Sequence, residues 1–392
     1  MGDDTRQRAG VGEHTAAARR VLLAPSAPGA LAPGLRITAA ARAAELTGQP
    51  ALADRYRAWA PHGAADADPS LTAAVRDFTD RVTLAPGAAG PGLLGTLTAR
   101  GLDAPAVVAL AQICAFVAYE ARVASGLALL SGEPAAEPVE PSPCPSPAPA
   151  APRPPSEARF TLDELSWRPR IPVVDADALT AEQRAVIDAH ATLSVASPYY
   201  RTLLHDPAAL DHRTHVYNAV MYGRGGLPRA ERELATLLVS RANGCVYCAS
   251  VHGRKYAQLS RDKPAALRVL RDGGEALADD ARGRAIARFA EAQTSTPPRA
   301  GAAEVAALRA AGLTEAELTD LVHAVALFGW ANRLMLVLGD AQPVRRPEAG
   351  VPHDAVPHDP IPRDDTPRND ARDDARESCS GTPDRSPRTG DA

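Results

Sequence analysis

Cys245, Cys248 and His252 stand within eight residues, in the stretch NGCVYCASVHGRKY from Asn243 to Tyr256. Spacings of three and four residues return to one face of a helix, so the three side chains form a single stripe. Asn243-Gly244 punctuates the chain just before them and puts Cys245 in a first helical turn, where unpaired amides and the helix dipole lower a thiol's pKa. A Cys-x-x-Cys pair at a helix start closes a disulfide with little backbone movement. His252 could take the proton from a neighbouring thiol and leave a nucleophilic thiolate. Two other readings stay open: zinc ligation by the same three residues and a carboxylate, although structural zinc prefers a second close ligand pair, and coincidence. In the preceding helix, PRAERELATLLVSRA, Glu231 and Glu233 fall in a first turn that favours negative charge without any function. A catalytic role for Glu233 is the alternative.

A scaffold must hold this stripe, and the chain of 392 residues is long enough for two domains. Residues 133–158 are rich in Pro, Ala and Ser, and residues 343–392 in Pro and charge; both lack the apolar residues whose burial offsets chain entropy. The expected organisation is a disordered N-terminus over 1–20, a first unit over 21–132, a linker over 133–158, a second unit over 159–342 and a disordered tail over 343–392. With 43 basic and 47 acidic residues the net charge is -4, which offers no field for nucleic acid or an anionic membrane. No run of eighteen apolar residues and no signal-peptide pattern is present, so the expected location is the cytoplasm. Five cysteines, an odd number, argue against a secreted disulfide framework.

The two units are copies of one helical pattern. At a constant offset of 211, Phe78 pairs with Phe289, Thr83 with Thr294, Pro86 with Pro297, Gly101 with Gly312 and Arg122 with Arg333. Both copies then carry an N-cap signal, Asp103 or Thr314, and a long apolar run that suits a helix buried between neighbours. Upstream, LRITAAARAAELTGQPALADRYRA from Leu35 matches LATLLVSRANGCVYCASVHGRKYA from Leu234 at an offset of 199. That register puts Leu46, Gln49 and Ala53 where the second copy has Cys245, Cys248 and His252. The remaining segments show helical periodicity and none alternates like a strand, so the expected class is all-α.

Glu233, Cys245, Cys248 and His252 also reproduce a known pattern: Glu, eleven residues, Cys-x-x-Cys, three residues, His. With FTLDELSWRPRIPVVD, SPYYRTLLHDP and GLPRAERELATLLVSRANGCVYCASVHGRKYAQLS, the chain from about Phe160 to Gln342 resembles the AhpD-like alkylhydroperoxidases of the carboxymuconolactone decarboxylase superfamily, in their peroxidase-related branch. The first half resembles a degenerate domain of the same superfamily. The resemblance implies an AhpD-like helical bundle in two tandem homologous domains, a trimeric or hexameric assembly, and thiol peroxidase chemistry without cofactor or metal. It implies that Cys248 attacks an organic hydroperoxide and becomes a sulfenic acid, that Cys245 resolves it as a disulfide, and that Glu233 and His252 relay the proton and keep Cys248 ionised. An external dithiol, such as a lipoylated carrier protein, would then attack the more exposed Cys245. Val246 and Tyr247 stand between the cysteines where the peroxidase has a second histidine, and tyrosine is rarely a base near neutrality. A general disulfide reductase is therefore one alternative. The lyase reaction that names the superfamily is another, although members that catalyse it generally lack the cysteine pair.

Other residues have structural expectations. His323, in LTDLVHAVALFGW, is expected in a hydrogen-bonded core role, and Asn332 and Arg333 in structural hydrogen bonds. His215 is a candidate to line a substrate mouth with Tyr217 and Tyr222, against a packing role. Cys114 is expected in the core, and Cys144 and Cys379 in the flexible segments. The first half, lacking the stripe, is expected to serve assembly.

Overall fold

The computed structural model describes residue 8 and residues 10–60, 68–132 and 160–344. The proposed linker, almost all of the proposed tail, Cys144 and Cys379 lie outside the described residues.

The first half folds into α1 (Val11–Leu23), α2 (Pro33–Leu46), α3 (Pro50–Arg57), α4 (Pro69–Leu84), α5 (Pro91–Thr98) and α6 (Ala104–Leu130). The second runs β1 (Leu165–Pro169), α7 (Ala181–Ala189), α8 (Pro198–Leu203), α9 (Pro207–Tyr222), α10 (Arg229–Ala242), α11 (Val246–Ser260), α12 (Lys263–Asp272), α13 (Ala281–Thr294), α14 (Ala302–Ala310), α15 (Glu315–Leu338) and β2 (Gly339–Pro343). The class is all-α. Proline opens many of these helices because its missing N–H falls where no intrahelical acceptor exists. Asp68, Asp103, Asp206, Asp262 and Asp280 cap first-turn amides, and Thr180 and Thr314 form capping boxes with Gln183 and Glu317, each worth about 1 kcal/mol.

Two expectations change. β1 and β2 pair antiparallel, from Leu165 opposite Pro343 to Pro169 opposite Gly339, a ribbon too short for any alternation to announce it. Arg170 locks its end by pairing with Asp340 at 2.6 Å. Helix α1 begins at Val11, inside the twenty residues expected to be disordered, and buries Val11, Ala18, Leu22 and Leu23. Its apolar residues are diluted by Arg and Glu, which hides the pattern.

The core is the pairing of α6 with α15. Both are long and apolar enough to cross a membrane, yet 89% and 94% of their apolar windows are buried inside the protein. A Cβ at Gly126 would stand 2.6 Å from Val322 Cγ1, so only glycine allows this approach. The contacts are reciprocal between the halves. Arg122 Nη2 donates to Thr294 O at 2.6 Å, and Arg333 Nη2 donates to Thr83 O at 2.8 Å. Trp330 Nε1 donates to Gln112 Oε1 at 2.9 Å, and Tyr119 OH meets His323 Nδ1 at 3.2 Å. All four pairs obey the offset of 211, so the halves face each other across a local two-fold inside one chain. His323 is thus a core residue, and burial holds its pKa down at about 4. Cys114 is also in the core, its Sγ 3.7 Å from Thr79 Oγ1.

The upstream register differs from the expected one. Gly48 and Gly244 share a left-handed φ of 71° and 73°, and Gln49 and Cys245 are the N-caps that follow. Arg36 and Arg232, both buried, tie back to preceding carbonyls in the same way, Arg36 to Leu22 O at 2.8 Å and Arg232 to Gly223 O at 2.8 Å. The offset between these paired residues is 196, not 199. The counterparts of Glu233, Cys245, Cys248 and His252 are therefore Ile37, Gln49, Leu52 and Tyr56, in place of the earlier Leu46, Gln49 and Ala53. Alanine-rich helices match one another at several registers, whereas a glycine forced to positive φ fixes one. Helix α12 and the following 3₁₀ turn Gly273–Leu277 take up the longer offset downstream.

Candidate active site

Gly244 turns the chain between α10 and α11, and Cys245 N donates to Ser240 O at 2.8 Å to fix the turn. Cys245 is the N-cap, one position before the first turn where the spacing had placed it, and Cys248 lies within that turn. Glu233 lies in the second turn of α10, on its buried face, so the charge preference of a first turn does not explain it.

Glu233 and His252 meet directly. Glu233 Oε2 is 2.5 Å from His252 Nδ1, and Glu233 Oε1 accepts from Arg229 Nε at 2.8 Å. Burial alone would push the Glu233 carboxyl up, but His252, Lys255 and Arg229 outweigh it and hold it at about 2. Burial lowers the pKa of His252, and Glu233 only partly offsets this. The pair at neutral pH is thus a carboxylate accepting Nδ1–H from a neutral imidazole, which leaves Nε2 as the basic atom. Phe328 packs edge-on against the ring at 4.4 Å and keeps it in place.

Cys248 and His252 line one cavity of about 80 Å³, with Tyr217, Tyr222, Tyr247 and Arg213 among its other walls. Cys248 lines the cavity and Cys245 is not among its walls, so Cys248 is the cysteine that faces the cavity. This reverses the expected order of exposure. The hydrogen bond with Cys245 and then burial push the Cys248 thiol well above its ordinary range, while Asn332 and Arg213 pull the other way. At rest Cys248 is a thiol, not the thiolate that the resemblance implies Glu233 and His252 would maintain: burial beside a second sulfur outweighs the groups that favour ionisation.

Asn332 has a part that its position in a buried helix concealed. Its Nδ2 donates to Ser240 Oγ at 3.1 Å, its Oδ1 accepts from Asn243 Nδ2 at 3.0 Å, and it favours the ionised form of Cys248. Arg213 was missed altogether. It is buried, its Nε has no acceptor among the described residues, and its guanidinium lies about 6 Å from the ring centres of Tyr199, Tyr217 and Trp330. Its position four residues before Tyr217, on one face of α9, is the signal that would have found it. Tyr217 and Tyr222 do line the cavity, but His215 does not: it stands near Asp211, with its ring nitrogen 3.7 Å away.

Residues 207–292 match the carboxymuconolactone decarboxylase family. Among solved structures, the chain is similar to the alkylhydroperoxidase AhpD core of an uncharacterized peroxidase-related protein from Ralstonia eutropha JMP134, with 29% identity over 42% of this chain and 87% of that one and a TM-score of 0.37. An uncharacterized peroxidase-related protein from Silicibacter sp. TM1040 is similar at 22% identity over 47% of this chain and 91% of that one, with a TM-score of 0.35. No curated protein matches.

Proposed function

From a chain that carries a carboxymuconolactone decarboxylase family domain at residues 207–292, we propose a thiol-dependent peroxidase that reduces organic hydroperoxides with Cys248 and Cys245. The observation that carries this reading is the order of groups around one cavity: Cys248 and His252 on its wall, Cys245 behind the first, Glu233 behind the second.

The cycle starts from two thiols. Cys248 gives its proton to His252 Nε2 through water in the cavity, and Glu233 stabilises the imidazolium that forms. Arg213 and Asn332 favour the thiolate once the proton has left. The thiolate attacks the outer peroxide oxygen, the O–O bond breaks, and the departing alkoxide takes the proton back from His252. The products are an alcohol and a Cys248 sulfenic acid. Cys245 attacks that sulfur, water leaves, and the Cys245–Cys248 disulfide closes. An external dithiol entering by the cavity meets Cys248 first, opens the disulfide by exchange, and leaves as its own disulfide.

Tyr247 supports a second reading, a general disulfide reductase, because it supplies no second base beside Cys248. Treatment of the reduced protein with one equivalent of cumene hydroperoxide separates the two. Stoichiometric cumyl alcohol with a Cys245–Cys248 disulfide in the peptide map is expected. Thiols that ignore the peroxide but reduce a small disulfide substrate would favour the reductase, and thiols inert to both would remove both readings.

A further inference from the structure

Four histidines and an aspartate converge on the side of α9 away from the cavity. His190 Nε2 is 2.7 Å from Asp211 Oδ1, and His215 Nε2 is 3.7 Å from the same oxygen. The other carboxylate oxygen, Asp211 Oδ2, is 3.6 Å from His212 Nδ1, which is itself 3.2 Å from His14 Nδ1 on α1. The His14 ring stacks on His215 at 3.9 Å. One hydrogen bond between His190 and Asp211 would satisfy a buried histidine, but it leaves three more imidazoles gathered around one carboxylate without an account.

We propose that His190, Asp211 and His215 bind a zinc ion. One ligand atom from each lies within 4.8 Å of the others. In a tetrahedral site with bonds of about 2.0–2.1 Å, neighbouring ligand atoms stand about 3.3 Å apart, between the 2.7 Å and 3.7 Å of the two histidine–aspartate separations. His190 is buried and held by the end of α7, whereas His215 is 43% exposed at its side chain and leaves a way in. Two imidazoles and a carboxylate are a donor set that suits zinc, and His212 and His14 place further imidazoles beside the same carboxylate. The bound ion ties the end of α7 to α9, and through His14 it sits where the two halves of the chain meet. This site shares no residue with the thiol pair.

Calorimetric titration of the full chain with zinc, after chelator treatment, tests the proposal. One ion per chain is expected, retained when Cys245 and Cys248 are both replaced by Ser and lost in His215→Ala and in Asp211→Asn. The half-exposed position of His215 makes its truncation compatible with folding, which circular dichroism checks. A wild-type chain that takes up no stoichiometric zinc would overturn the proposal, as would binding that survives either ligand substitution or disappears with the cysteines.

Discussion

The two halves of the chain share a scaffold and differ in what they enclose. In the second half, α10 and α11 set Glu233, His252 and Cys248 beside a cavity bordered by Ala331 of α15. In the first half, the residue matching Ala331 is Glu120, whose carboxylate accepts from Tyr56 OH at 2.5 Å and from Arg19. Tyr56 is the counterpart of His252. The same place is thus filled by a closed ion pair and hydrogen bond rather than left open to a substrate, and a handful of side chains decides which half can react.

The sharpest way to break this comparison is to separate the halves. Removing residues 1–132 strips α6 from α15, whose residues from Leu318 to Leu338 are all buried in the full chain. The remaining half is expected to pair with a second copy through α15, since Arg333 and Trp330 bind across a two-fold that a homodimer can reproduce. Sedimentation should show a dimer; a folded monomer would mean that the first half is dispensable to the core.

Replacing the cavity sulfur comes next in size. Cys248→Ser should lower hydroperoxide turnover at least about 10³-fold, with helicity unchanged, because serine supplies no comparable nucleophile. Turnover that persists would move the chemistry away from the second half's cavity.

Glu233→Gln should reduce the rate by about 10²-fold, since the imidazolium loses its counter-charge. It also changes the acid side of the stability curve. The Glu233 pKa falls from about 4.3 unfolded to about 2 folded, so its contribution is present in full above the unfolded value and is lost as pH falls toward 2. The lowered pKa of His252 acts in the same direction, its stabilising effect being lost as pH falls from the ordinary histidine range. Denaturant unfolding of wild type between pH 6.5 and 3 should therefore show a steeper loss than the Gln variant does.

The sequence carried the all-α class, the repeat and the four-residue pattern because these depend on local spacing: i,i+3 and i,i+4 on a helix, and one offset over some fifty residues. It did not carry the state of Cys248. That depends on Asn332, Arg213 and the closeness of Cys245, which only packing brings together. The upstream register is hidden for a related reason: a glycine's φ is not visible in an alanine-rich alignment. Arg213 tests the part that was not legible. Arg213→Gln removes a cation facing Cys248 and should slow alkylation of that thiol, because less of it is ionised at a given pH. An unchanged rate would leave Asn332 as the group that matters.

The smallest effect belongs to the closed half. Tyr56→Phe deletes the hydrogen bond to Glu120 but leaves the Arg19 pairing, so the carboxylate keeps a partner and the packing keeps its ring. A bond to a charged group whose acceptor remains paired is worth about 1–2 kcal/mol. Urea unfolding should show that loss, while the alkylation rate of Cys248 stays as in the wild type. Were the thiol rate to change as well, the closed half would be coupled to the open one through α6 and α15, and the first half would be a regulator of the site instead of its framework.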